Sequence, residues 1–263
     1  MKVGALEVTP VLDGSGREVL SDVVVREDGA NWDCPAQPVG DDGRLTLDLG
    51  GFLLRTAGRT ILIDAGIGTI NNERWSGGGL PGNLRLLGVE FGDITDVVFT
   101  HLHFDHVGWA TQAGQVMFPN ATYRVHAADW EHFVSGPSAV PGAARKLAPI
   151  EPQLETFDAE AELAPGLIAR PAAGHTPGTA IFVIADRGER ALLLGDVAHA
   201  VAELTDPEWH GLYDLDPVAA RTVRDRIASE AAENGDAIAA AHFPGLRFGR
   251  LVVADGRRRY EYL

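Results

Sequence analysis

Thr100-His101-Leu102-His103-Phe104-Asp105-His106 places three histidines and one aspartate within the six positions from His101 to His106. The apolar run Val97-Val98-Phe99 leads straight into it. A short apolar run of this kind reads as a buried strand, so the cluster lies at a strand's downstream end. In extended chain His101 and His103 point to the same side, because side chains alternate with period two. A helix starting at Asp105 would turn Asp105 and His106 back toward them. Imidazole and carboxylate without thiolate suit Zn²⁺, Fe, Mn²⁺ or Co²⁺ and disfavour Ca²⁺.

Three more residues share that local setting. His175 lies in Ala173-Gly174-His175-Thr176-Pro177-Gly178, Asp196 follows Leu192-Leu193-Leu194-Gly195, and His242 follows Ala239-Ala240-Ala241. Loops at strand ends are where α/β proteins place their chemistry, since the sheet fixes them. An aspartate behind Leu-Leu-Leu-Gly is costly to bury unless it is paired or bound to metal.

Around these points the chain reads as mixed α/β. Leu47 to Leu54 and Ile61 to Ile63 flank Ala57-Gly58-Arg59, a hairpin. Short apolar runs follow at Leu167–Ala169, Ile181–Ile184, Ala191–Leu194 and Ala237–Ala239. Asp216-Pro217 through Asn234-Gly235 has an N-cap Asp, a first-turn Pro and a closing Gly, which predicts a helix. Its apolar stripe is Ala220, Val223, Ile227 and Ala231. A second helix is expected through Ala127–Phe133, and Trp75-Ser76-Gly77-Gly78-Gly79-Leu80-Pro81-Gly82 reads as a mobile loop.

Composition narrows the class. With 263 residues the chain can bury a large core without disulfide support. Hydrophobic residues at 45% and charged residues at 22% are globular values and exclude a fibre or a disordered tail. The net charge of −15 argues against nucleic acid as a partner. No apolar run reaches the ~18–20 residues of a membrane helix, and the first residues show no signal-peptide core, so a cytoplasmic protein is expected. Cys34 is the sole cysteine, which leaves no thiolate metal cluster.

In order and context these residues resemble the metallo-β-lactamase superfamily: His101-x-His103-x-Asp105-His106, then Gly174-His175-Thr176-Pro177-Gly178, then Gly195-Asp196, then His242. The likeness spans about Gly51 to Gly245. It implies an α/β fold, the αββα four-layer sandwich, as one domain over residues 1–263. Its two halves, roughly 1–135 and 136–263, would share one core and one dinuclear site. By the resemblance, His101, His103 and His175 hold a first metal, Asp105, His106 and His242 hold a second, and Asp196 bridges the two. Two divalent ions are therefore expected as cofactors, Zn²⁺ first, with Fe, Mn or Co as options.

The branch it looks most like contains the N-acyl homoserine lactonases and methyl parathion hydrolase. The implied reaction is hydrolysis of a small ester or lactone by a hydroxide shared between the metals, with Asp105 also orienting that hydroxide. Phosphotriester hydrolysis is the alternative. Non-haem iron redox chemistry is a rival of another class, but no flavin- or nicotinamide-binding Gly-rich motif accompanies the site. One departure stands out. The lactonases place a tyrosine three residues after the bridging Asp, where it assists the substrate carbonyl; here that position is His199, a candidate hydrogen-bond donor or acid to the leaving oxygen. Phe104, Trp109, Phe243 and Trp75 are candidates to line the pocket. The expected partner is the small-molecule substrate, with neither nucleic acid nor membrane, and a homodimer is an open option. Arg257-Arg258-Arg259 beside Tyr260 and Tyr262 reads as an exposed strand edge.

Overall fold

The computed structural model describes residues 1–263. Its first sheet runs, edge to edge, through Lys2–Val3, Leu6–Val19, Arg44–Thr56, Arg59–Ile63, Asp96–Val98, Thr122–His126 and Leu154–Phe157, with Trp75–Ser76 added beside Leu6–Val19. The second runs through Ala161–Ala164, Leu167–Pro171, Ala180–Asp186, Glu189–Leu193, Ala237–Ala239, Gly249–Ala254 and Arg257–Tyr262. Each sheet passes from antiparallel hairpins to parallel pairing at its middle, where Arg59–Ile63 meets Asp96–Val98 and Glu189–Leu193 meets Ala237–Ala239.

The expected hairpin is present. Thr56 pairs with Arg59, so Ala57 and Gly58 alone make the turn, with φ of 46° and 77°. Positive φ at both positions is the type I′ geometry that matches strand twist.

Strand alternation builds the layers. Ile61, Ile63, Phe182, Ile184, Leu193 and Ala239 face inward and fill the space between the sheets. Their neighbours Leu62, Val97 and Val125 face out against Leu80, Leu84, Trp130, Phe133 and Leu147. On the other side Ile181, Leu192, Leu194 and Ile238 pack under Leu204, Ile227 and Ala231. Helix, sheet, sheet, helix is the four-layer order. No helix is long and apolar enough to cross a membrane.

The predicted helix spans Pro217–Asn234; Asp216 caps it by accepting the Ala219 N–H at 3.0 Å, and Gly235 closes it at φ 67°. Its buried face differs from expectation at one position, with Arg224 deeply buried while Val223 is only half-buried. The chain crosses between sheets after Phe157, later than the expected division near residue 135, because Leu154–Phe157 still adds a parallel strand to the first sheet. No helix starts at Asp105. Residues 104–106 form a turn in which the His106 N–H donates to the His103 carbonyl at 3.1 Å.

The Gly-rich stretch expected as a mobile loop carries hydrogen bonds that its sequence did not announce. Buried Asp13 accepts the backbone N–H groups of Ile67, Gly68, Gly78 and Leu80 and the Trp109 indole N–H, at 2.8 to 3.2 Å. One carboxylate thereby staples the loop to its surroundings. Arg257–Tyr262 is the edge strand predicted for the arginine cluster.

Candidate metal centre

Strand ends from both sheets deliver the predicted ligands to one end of the sandwich. His101 follows Asp96–Val98, His175 lies in the loop after Leu167–Pro171, Asp196 follows Glu189–Leu193, and His242 follows Ala237–Ala239. The sheets meet closely at Gly195, where an added Cβ would lie 2.6 Å from the Thr100 Cβ and the backbone φ is +54°. Only glycine fits there without displacing the metal-motif strand.

All seven predicted residues come together. The His103 Nδ1 lies 3.0 Å from the His101 Nε2 and 2.9 Å from the His175 Nε2. The His242 Nε2 is 3.6 Å from the Asp105 Oδ2, and the His106 Nε2 is 3.9 Å from it. Asp196 stands between these groups: its Oδ2 is 3.6 Å from both the His101 and the His175 Nε2 and 3.2 Å from the His242 Nε2, while its Oδ1 is 3.2 Å from the His106 Nε2.

The outward nitrogens decide what the inward ones can do. The His101 Nδ1 meets Thr100 Oγ1 at 3.1 Å, His106 Nδ1 meets Asp64 Oδ2 at 2.9 Å, His175 Nδ1 meets Asp214 Oδ1 at 3.2 Å, and His242 Nδ1 meets the Asp48 carbonyl at 3.2 Å. Each acceptor fixes the proton on the outer nitrogen and leaves a lone pair facing in, as a metal-ligating histidine requires. The Thr100 hydroxyl is itself fixed by donating to Asp64 Oδ2 at 2.8 Å.

Two buried atoms in this cluster, His106 Nε2 and Asp196 Oδ1, have no hydrogen-bond partner. Buried polar atoms are rarely left so, and a cation between them is what the donors call for. Nitrogen and carboxylate donors without sulfur fit Zn²⁺, Fe, Mn²⁺ or Co²⁺. His101, His103, His175 and Asp196 form one compact ligand group, and Asp105, His106 and His242 form another.

The protein's own charges divide in the same way. Burial, then the positive field of His106, holds the His101 imidazole well below its ordinary value, and burial with His175 takes His103 down to about 4. Burial works against His106 too, but the Asp196, Asp64 and Asp105 carboxylates outweigh it and raise the group well above the ordinary range. His242 is likewise raised, with burial overcome by Asp196 and Asp105.

His199 sits beside this cluster, fully enclosed, with its Nε2 3.6 Å from Asp196 Oδ2 and neither ring nitrogen hydrogen-bonded. Burial lowers it to about 3, so it is neutral at ordinary pH. It lines a cavity of about 320 Å³ together with Asp105, Asp196, Tyr213, Trp75 and Phe104. A second, more apolar cavity of about 440 Å³ shares His103 and Phe104 with the first and continues past Ile67, Ile70, Val107 and Phe133. Phe104 is 50% exposed and stands edge-on to Trp75 at 5.6 Å. Of the four aromatic candidates these two line the site. Trp109 is tied to Asp13, and Phe243 packs against Tyr260 in the core.

Sequence reasoning missed the residues that hold the ligands. Asp64 accepts the Thr100 N–H at 2.8 Å and orients His106, from a left-handed φ of 59°. Its signal was available, since it follows Ile61-Leu62-Ile63 as Asp196 follows Leu192-Leu193-Leu194. Asp129 accepts the Leu102 and Gly178 N–H groups at 3.0 and 2.7 Å and so locks two ligand loops together. Gln37 donates to the His242 carbonyl at 3.2 Å and accepts the Val201 N–H at 2.9 Å. Asp214, Glu203 and Arg224 lie behind His175 and His199, and no local pattern marks Asp214 or Glu203.

Residues 51–242 match the family model of the metallo-beta-lactamase superfamily, and the chain belongs to that superfamily. Among solved structures it is similar to AidC, a dizinc quorum-quenching lactonase, at 23% identity and a TM-score of 0.83 over 99% of this chain and 95% of that one. It is also similar to AbOPH, a hydrolase in the beta lactamase superfamily, at 25% identity and a TM-score of 0.81 over 100% and 95% of the two chains. A probable metal-dependent hydrolase from Staphylococcus aureus aligns at 21% identity and a TM-score of 0.80 over 100% and 99%. No curated protein matches the chain.

Proposed function

We propose that this protein hydrolyses small esters or lactones at a centre of two divalent cations, Zn²⁺ foremost. The observation that carries the reading is Asp196, whose two oxygens reach both ligand groups at the floor of a cavity with an apolar extension. Cations bound there supply Lewis acidity and a water acidic enough to attack at neutral pH.

The chain's own residues do the rest. His101, His103 and His175 would hold one cation through their inward-facing nitrogens, Asp105, His106 and His242 the other, and Asp196 would touch both. Asp105, which lines the cavity, is placed to accept a hydrogen bond from the attacking water. His199, kept neutral by burial, is suited to donate a hydrogen bond to the leaving oxygen rather than to act as an imidazolium acid. Phe104 and Trp75 shield one side from solvent, and the apolar cavity behind Phe104 would take the hydrocarbon part of the substrate. The similarity to lactonases supports a lactone as the substrate, and the acidic surface argues against nucleic acid.

The test combines metal analysis of the purified protein with turnover of lactones, alkyl esters, nitrophenyl esters and aryl phosphotriesters. Two equivalents of metal with lactone or ester turnover is the expected result. Turnover confined to phosphotriesters, or redox activity with bound iron, would overturn it.

A further inference from the structure

One residue of the helix Pro217–Asn234 is out of character with its surroundings. Ala220, Ile227, Ala228 and Ala231 make the buried face, and Arg224 lies among them with 2% of its surface exposed. Burying a guanidinium is costly unless it is paired and hydrogen-bonded, and an apolar side chain would fill the same volume without that cost. What the guanidinium touches therefore matters.

Its Nε donates to the Val197 carbonyl at 2.5 Å, and one terminal nitrogen donates to Asp214 Oδ2 at 2.7 Å and lies 3.2 Å from Glu203 Oε1. Each contact leads on to the site. Val197 directly follows Asp196. The other oxygen of Asp214 meets His175 Nδ1 at 3.2 Å. The other oxygen of Glu203 accepts the backbone N–H groups of His199 and Ala200 at 2.7 and 2.9 Å. The His199 ring has no hydrogen bond of its own. Behind it lies Gly211, where an added Cβ would come within 2.9 Å of His199 Nδ1. Packing and the loop backbone alone hold this ring, and that backbone is held by Glu203.

We propose that Arg224 is a positioning residue of the hydrolytic site: by hydrogen-bonding the Val197 carbonyl and Asp214 and pairing its charge with Glu203, it sets the aim of His175 and the placement of His199 beside Asp196. This rests on the hydrolytic reading above. A rigid planar fork can hold the Val197 and Asp214 directions together while keeping its charge against Glu203, whereas a lysine ammonium on a flexible stem cannot. Arg224→Lys keeps the charge and removes the fork.

The experiment uses the zinc-loaded protein and two readouts. Titration with a chromophoric chelator should strip one equivalent of zinc from Arg224→Lys at a concentration ~10-fold lower than from the parent, the scale of losing a group that orients a metal ligand. For lactones and alkyl esters kcat should fall ~10-fold with little change in KM, and nitrophenyl esters should fall less, because their leaving group needs little help. Asp214→Asn cuts only the His175 arm, so it should reproduce the zinc loss and keep the parent's leaving-group dependence. Arg224→Lys with the parent's chelator curve and leaving-group dependence, whatever its melting temperature, would overturn the proposal. If Arg224→Lys does not fold, an unchanged chelator curve in Asp214→Asn overturns it instead. A parent that turns over no lactone or ester would sink the hydrolytic reading alone, since the chelator curves still report on Arg224.

Discussion

The two ligand groups meet at Asp196 yet are built on opposite electrostatic plans. His101, His103 and His175 present nitrogens only, and burial keeps His101 and His103 unprotonated. Asp105, His106 and His242 include a carboxylate, with Asp64 behind His106, and both histidines are held toward their protonated forms. The first group stands ready to accept a cation. In the second, the carboxylates favour positive charge, from a proton or a cation alike, so the two compete there. Two ligand groups so unlike would give two cations different environments within one cavity.

Asp196→Asn should abolish the distinction, because both groups lose their shared charge. Turnover should fall by ~10³-fold or more, the scale of removing a major electrostatic contribution in a dry site. A variant with full metal content and a tenth of parental turnover would show that Asp196 does not join the groups.

His199→Phe comes next. Loss of its donor should lower turnover of lactones and alkyl esters by ~10²-fold and barely affect nitrophenyl esters. Equal losses on both leaving-group classes would mean that His199 places the substrate instead.

Asp64→Asn sharpens the contrast from one side. Asp64 backs His106 directly and His101 only through Thr100, so weakening it should reduce affinity for one metal equivalent by at least ~10-fold and for the other by clearly less. Loss of both equivalents in parallel, measured by chelator competition, would mean that the groups are not separable.

The smallest effects concern stability. Chelation should lower the melting temperature by several degrees, since the clustered ligands lose their counter-charges; unchanged melting would contradict this. In the chelated protein the two groups should respond to pH with opposite sign. His103 titrates near 4 when folded, below its ordinary 6.5, so the unfolded chain protonates first and stability drops as pH falls from 6.5 toward 4. His242 is raised, so its contribution is full at low pH and is lost as pH rises through its folded value. Urea midpoints across this range should flatten on the acid side in His103→Gln and on the alkaline side in His242→Gln. Identical profiles would show that the groups do not differ in charge.

The seven candidate ligands were legible because each is a polar residue close behind an apolar strand or inside a glycine-bounded loop, which are local signals. The hairpin and the long helix were legible from turn and cap residues such as Gly58, Asp216 and Gly235. What sequence could not show was tertiary. Asp13 reads as one more acid in an acidic chain, and nothing nearby reveals that three separate segments bring it five donors. Arg224 is the instructive miss. Positions 220, 224, 227 and 231 follow helical spacing, so an arginine on that stripe could have been noticed, but a solvated neighbour such as Arg221 looks the same in one dimension. The tether of the Gly-rich loop could not be read because glycine permits motion without requiring it, and Asp13 lies more than fifty residues upstream.

The passage between the sheets after Phe157 divides the ligands unequally but in a regular way. The stretch before it supplies His101 and His103 to one group and Asp105 and His106 to the other; the stretch after it completes each group with a single histidine, His175 and His242, and adds Asp196. A chain severed at residues 158–160 would yield two fragments, neither owning a finished coordination set, each with one apolar sheet face left bare. Their reunion would bury that face and close both sets in the same event. This connection is thus a natural place to build a split reporter whose halves recombine on addition of a divalent ion and part on its withdrawal.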